Sequence, residues 1–120
     1  MHLINLFFLL VFGHCIADTT FQTDAMSRGK SRHNPINPDR VPVGQKPMKL
    51  WPMWLTHHAM IQGGVVYLLT GSFLCFYLEI ISHWIIDFFK CESKYSPIED
   101  QLLHLSMKSL YIVLLTQGIR

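Results

Sequence analysis

Apolar and polar residues are sorted into long blocks along this chain rather than alternating finely. The first apolar block, Leu3 to Phe12, lies within MHLINLFFLLVFGHCIA. At about ten residues it is too short to cross roughly 30 Å of hydrocarbon as a helix. Small residues follow it, with Cys15 and Ala17 three places and one place before Asp18. That pattern predicts a signal peptide over residues 1–17, cleaved before Asp18 or retained as an uncleaved hydrophobic helix. No Lys or Arg precedes the apolar core.

Residues 18–50 are polar, and NPINPDRVPVGQKP carries four prolines in fourteen residues. Proline removes amide donors and biases its predecessor away from the helical region. Such a segment buries too little apolar surface to offset its ordering entropy, so a disordered linker is predicted. The chain then turns apolar. Between Met60 and Leu78 only Gln62, Thr70 and Ser72 are overtly polar. One transmembrane helix is therefore predicted over about 60–82, within a helical unit of residues 51–90. Trp51 and Trp54 flank it on one side and Trp84 on the other. From Trp54 to Trp84 a helix rises about 45 Å, close to a bilayer with its headgroup layers, where tryptophan concentrates.

A polar break, CESKYSPIED, separates this block from the last one. Ser96, Pro97 and Glu99 form a helix-start signature there. They predict a helix over 96–117, interfacial or a second membrane helix, interrupted by His104 and Lys108. The predicted class is an all-α membrane protein.

Composition agrees with lipid as one solvent, since 15% of residues are charged against about 25% in soluble domains. The net charge of +2 is too weak, and the basic residues too scattered, to indicate nucleic acid. Three widely spaced cysteines exclude a disulfide framework or a zinc module. Nucleophile-elbow, phosphate-loop and HExxH motifs are missing, so no enzyme activity, cofactor or metal is expected. A leader peptide implies an integral membrane protein of the secretory pathway, in the endoplasmic reticulum or plasma membrane. The balance of Arg40, Lys46 and Lys49 against Lys90 and Lys94 leaves orientation open.

On a continuous helix, Gly64, Gly71, Cys75 and Ser82 share one stripe, a face on which a partner transmembrane helix, self or other, could pack closely. Glu79, His83 and Asp87 climb beside it at every fourth position. They read as an interfacial polar ladder, as groups meeting a polar partner in the membrane, or as an ion or proton site. His83-x-x-x-Asp87 resembles the HxxxD zinc ligands in the spans of cation diffusion facilitator transporters. The resemblance covers five residues, and that family uses several spans and a second ligand pair. One helix cannot close such a site, and His57 and His58 lie about 30 Å away along it. Cys91, beside Lys90, is a candidate for lipidation. The expected role is a non-catalytic accessory subunit docking through the small-residue face. The alternatives are a component of an ion or proton translocation site, or a fragment of a larger multi-span protein.

Overall fold

In a computed structural model, which describes residues 2–119, the chain is all-helical. The helices are α1 (Leu3–Thr19), α2 (Asp24–Gly29), α3 (Trp51–Thr70), α4 (Phe73–Cys91) and α5 (Pro97–Thr116), with a 3-10 turn at Pro38–Arg40. No described residue lies in a strand.

The long apolar block is not one rod. Gly71 takes φ 65°, a left-handed conformation that costs glycine little, and its N–H closes α3 on the Tyr67 carbonyl. Ser72 then starts α4, its hydroxyl accepting from the Cys75 N–H at 3.2 Å. A cap followed at once by a start turns the chain back, and α3 and α4 pack as an antiparallel pair. The close approach is at Gly63, where an added Cβ would sit 2.6 Å from Ile80 Cγ1. The tryptophans expected at opposite ends therefore meet: the Trp51 and Trp84 rings lie 6.2 Å apart, and the Trp84 N–H donates to Thr56 at 3.2 Å. The continuous helix expected over 60–82 is thus replaced by a hairpin. Among the described residues no helix is long and apolar enough to cross a membrane.

Residues expected as a leader form α1, which packs against α3 and α5 with Leu10 and Ala17 fully buried. Within the expected linker, α2 is capped by Thr23 and buries Met26 and Lys30. It abuts α3 so closely that a Cβ on Gly29 would lie 2.4 Å from the Trp54 ring. At the start of α5, Ser96 and Glu99 form the reciprocal capping box, with bonds of 3.2 and 2.7 Å.

The bundle is apolar outside and polar inside. Leu6, Leu10, Val66, Cys75 and Tyr111 form an apolar cluster at one end. The remaining interior holds His14, Lys30, His58, Gln62, Glu79, His83, Asp87, Asp100, His104 and Lys108. Meanwhile Ile4, Phe8 and Phe12 on α1, and Phe73, Tyr77, Ile81, Ile85 and Phe89 on α4, are exposed. Helices α1, α3 and α4 expose no Asp, Glu, Lys or Arg, and α5 exposes only Glu99. Soluble proteins ordinarily place these groups the other way round.

Candidate metal centre

Each long helix contributes polar side chains spaced by four, which in a helix share one face. They are His14 and Asp18 on α1, His58 and Gln62 on α3, Glu79, His83 and Asp87 on α4, and Asp100, His104 and Lys108 on α5. All ten are buried except Asp18, which is partly covered. The ladder read from the sequence is therefore one wall of a larger cluster. The turn at Gly71 folds His58 back onto it, and the His58 and His83 rings lie 4.9 Å apart. The axial distance that had separated them belonged to a helix that does not exist.

Three ligand atoms, from Asp18, His58 and His83, converge between α1, α3 and α4, with the Asp87 carboxylate beside them. Asp18 Oδ1 lies 3.1 Å from His58 Nε2 and 3.8 Å from His83 Nε2. Asp87 offers Oδ2 at 3.5 Å from His58 Nε2 and Oδ1 at 3.7 Å from His83 Nε2. With zinc–ligand bonds of 2.0–2.1 Å, neighbouring ligands of a tetrahedral ion stand about 3.4 Å apart, which is the range of the Asp18 distances to His58 and His83. The nitrogens are close to the oxygens without bonding them. His58 Nδ1, His58 Nε2 and His83 Nε2 are buried and make no hydrogen bond. Each such orphan costs about 1–3 kcal/mol unless something else satisfies it.

The surroundings orient these ligands. His83 Nδ1–H donates to Glu79 Oε1 at 3.3 Å, which leaves the Nε2 lone pair facing Asp18 and Asp87. Glu79 is itself held by the Lys108 ammonium and by the Tyr111 hydroxyl at 2.7 Å. An outer carboxylate on the far nitrogen of a ligating histidine is the usual way its tautomer is set. Gln62 does the same for α1, donating to Asp18 Oδ1 at 2.6 Å while its carbonyl faces His14 Nδ1 at 3.2 Å.

Three lysines are each assigned to an acid. Lys30 pairs with Asp87 at 2.6 Å, Lys90 with Asp100 at 2.7 Å, and Lys108 with Glu79. Asp18, partly covered, has only histidines and amides around it among the described residues. At the rim, Arg32 donates to both Glu92 oxygens at 2.7 and 2.9 Å. With His33 it holds the Glu92 carboxyl below its usual range and ties the segment after α2 to the end of α4.

The other residues singled out in the sequence lie apart from this cluster. Gly71 forms the exposed turn, and a Cβ on Gly64 would meet nothing within 4 Å. Cys75 sits in the apolar cluster, and the Ser82 hydroxyl lies 3.4 Å from that of Tyr111. Cys91 is half-buried and unpaired, and His57 is exposed against Trp54. Sequence reasoning missed His14, Asp18, His58, Asp100 and His104 as site residues. Their signal is a spacing: His-x-x-x-Asp occurs at 14–18 as well as 83–87, and reversed at 100–104.

A family profile described as protein of unknown function (DUF3307) matches residues 6–119. No curated protein and no solved structure matches the chain.

Proposed function

We propose a function for a chain that belongs to the DUF3307 family: it holds a divalent transition-metal ion inside a lipid-embedded helical bundle. Asp18, His58, His83 and Asp87 are the ligands. The observation that carries this reading is the set of buried, unbonded imidazole nitrogens facing carboxylate oxygens at ligand–ligand spacing. A divalent ion satisfies His58 Nε2 and His83 Nε2 and places a cation beside Asp18. Two imidazoles with carboxylate oxygens suit zinc best.

When bound, such an ion provides Lewis acidity and a polarised water. The chain's own groups prepare the place for it. Glu79 holds the His83 ring, Tyr111 and Lys108 hold Glu79, and Gln62 positions Asp18. Lys30 reaches in from α2 and covers one Asp87 oxygen. The apolar cluster of Leu6, Leu10, Val66, Cys75 and Tyr111 closes the far end of the polar core, which favours an ion that is held over one that passes through.

The lipid surroundings rest on the exterior. Phe73 to Phe89 on α4 is an unbroken exposed apolar stripe, about 24 Å long at helical rise. Charged groups in membrane proteins face the bundle interior and pair with one another, as here. Interior charges lower each helix's own hydropathy, so the apolar surface belongs to the bundle and not to any one segment.

The test is metal binding by the detergent-purified full chain. Zinc analysis after dialysis should find bound metal, and cobalt(II) should give the visible bands of a tetrahedral imidazole–carboxylate site. His58→Ala and His83→Ala should lose both, and Cys75→Ala neither. Wild-type affinity in the two histidine variants, or a folded wild-type protein that binds nothing, overturns the reading. Release from vesicles by alkaline carbonate would overturn the lipid placement.

A further inference from the structure

We infer that the interior holds a second divalent cation between α4 and α5, sharing Asp87 with the first. The inference rests on the metal reading above. Its ligands are Asp87, Asp100 and His104, none of which the first position needs apart from Asp87.

The two carboxylates are divided in the same way. On each, Oδ2 carries a lysine: Lys30 on Asp87 at 2.6 Å and Lys90 on Asp100 at 2.7 Å. Asp87 Oδ1 accepts from His104 Nε2–H at 3.2 Å, and Asp100 Oδ1 lies 3.5 Å from the same nitrogen. Asp100 is fully buried, yet its Oδ1 makes no hydrogen bond, while Oδ2 also takes the Gln101 amide at 3.1 Å. The His104 nitrogen is taken by Asp87 Oδ1, so a cation here replaces the His104 Nε2 proton, and the bare buried Asp100 Oδ1 is the atom that marks the position.

Neighbouring rings fix the third ligand. His104 stacks on His83 at 4.1 Å between centroids and lies 4.8 Å from the His14 ring. The stack holds the His104 ring beside the first ligand set, with Asp87 Oδ1 between His83 Nε2 at 3.7 Å and His104 Nε2 at 3.2 Å. One carboxylate flanked by two imidazoles that belong to different ligand sets is the bridging element of a two-ion centre, where metals typically stand about 3.5–4 Å apart. Three protein ligands leave the second ion open positions, so it binds more weakly and keeps water.

The experiment titrates manganese(II) and cobalt(II) into the detergent-purified full chain. The expected result is two ions per chain in separate steps, with a manganese-loaded spectrum showing exchange coupling between neighbouring ions. Asp100→Asn and His104→Gln should each remove the weaker step, halve the stoichiometry and convert the spectrum to that of an isolated ion. The tetrahedral cobalt bands of the first position should persist in both. One ion per chain with uncoupled manganese in the wild type overturns the second position and leaves the first standing, and His104 is then an imidazolium between two aspartates. No bound metal at all overturns both. The coupling is read on unmodified protein, so a variant that fails to fold does not blunt the test.

Discussion

Removing the Glu79 carboxylate separates holding the fold from holding the ion. Glu79 is buried and receives the Lys108 ammonium, the Tyr111 hydroxyl at 2.7 Å and His83 Nδ1–H at 3.3 Å. Glu79→Ala strands the Lys108 ammonium, which is fully buried. Breaking a buried ion pair from one side costs about 3–5 kcal/mol. Unfolding entropy of about 2.1 cal/mol/K per residue makes 1 kcal/mol worth about 4 °C in a chain of this length, so the melting midpoint should fall by about 12–20 °C. Glu79→Leu combined with Lys108→Leu removes both charges, and such replacements are often neutral or stabilising. The double variant should therefore regain most of the midpoint. It should not regain metal, because His83 has lost the acceptor that orients it, a loss typically worth 10–100-fold in affinity. Thermal unfolding in detergent and a zinc titration on the same samples decide the matter. A double variant as unstable as the single one, or one that binds zinc like the wild type, refutes the reasoning.

Zinc at a hundredfold excess over its dissociation constant should stabilise the wild type by about 2.7 kcal/mol. That is about 11 °C by the same conversion; a chelator should reverse it and His58→Ala should abolish it. Lys30→Met leaves the Asp87 carboxylate without its ammonium, so the apo protein should melt lower and bind zinc more tightly in calorimetry. Gly71→Val forces a branched side chain into a left-handed turn and should cost about 1–2 kcal/mol. Gly64→Ala, with open space at its Cβ, should be neutral or raise stability by up to about 1 kcal/mol. Ser96→Ala should lower stability by about 1 kcal/mol through loss of the α5 cap, seen as a lower unfolding midpoint.

How much of this was legible depended on range. The α5 start could be read from Ser96, Pro97 and Glu99 because a capping box is closed within four residues. The helical class followed from block length and the fourfold spacing of Glu79, His83 and Asp87. Gly71–Ser72 was harder: glycine and serine are tolerated inside membrane helices, so their adjacency reads as packing until the fold shows a cap followed by a start. That one ambiguity carried the rest, since an unbroken helix places His58 far from His83. His14 and Asp18 were hidden differently. A short apolar block ending in small residues has the same composition whether it leads the chain out or packs against α3. Counting cysteines for metal also overlooked a site built from imidazole and carboxylate, whose members come from four helices and share no local spacing beyond i to i+4.

The inverted polarity of the bundle decides where change is cheap. On the outer surface Ile4, Phe8, Ile81 and Ile85 are exposed, so substitutions there among leucine, isoleucine, phenylalanine and valine should go almost unfelt. Inside, Lys30 and Lys108 each have an assigned acid, and swapping either sign strands two like charges where salt screens poorly. For this molecule the interior is the conservative part because it is crowded with obligations, and the skin is free because it has none.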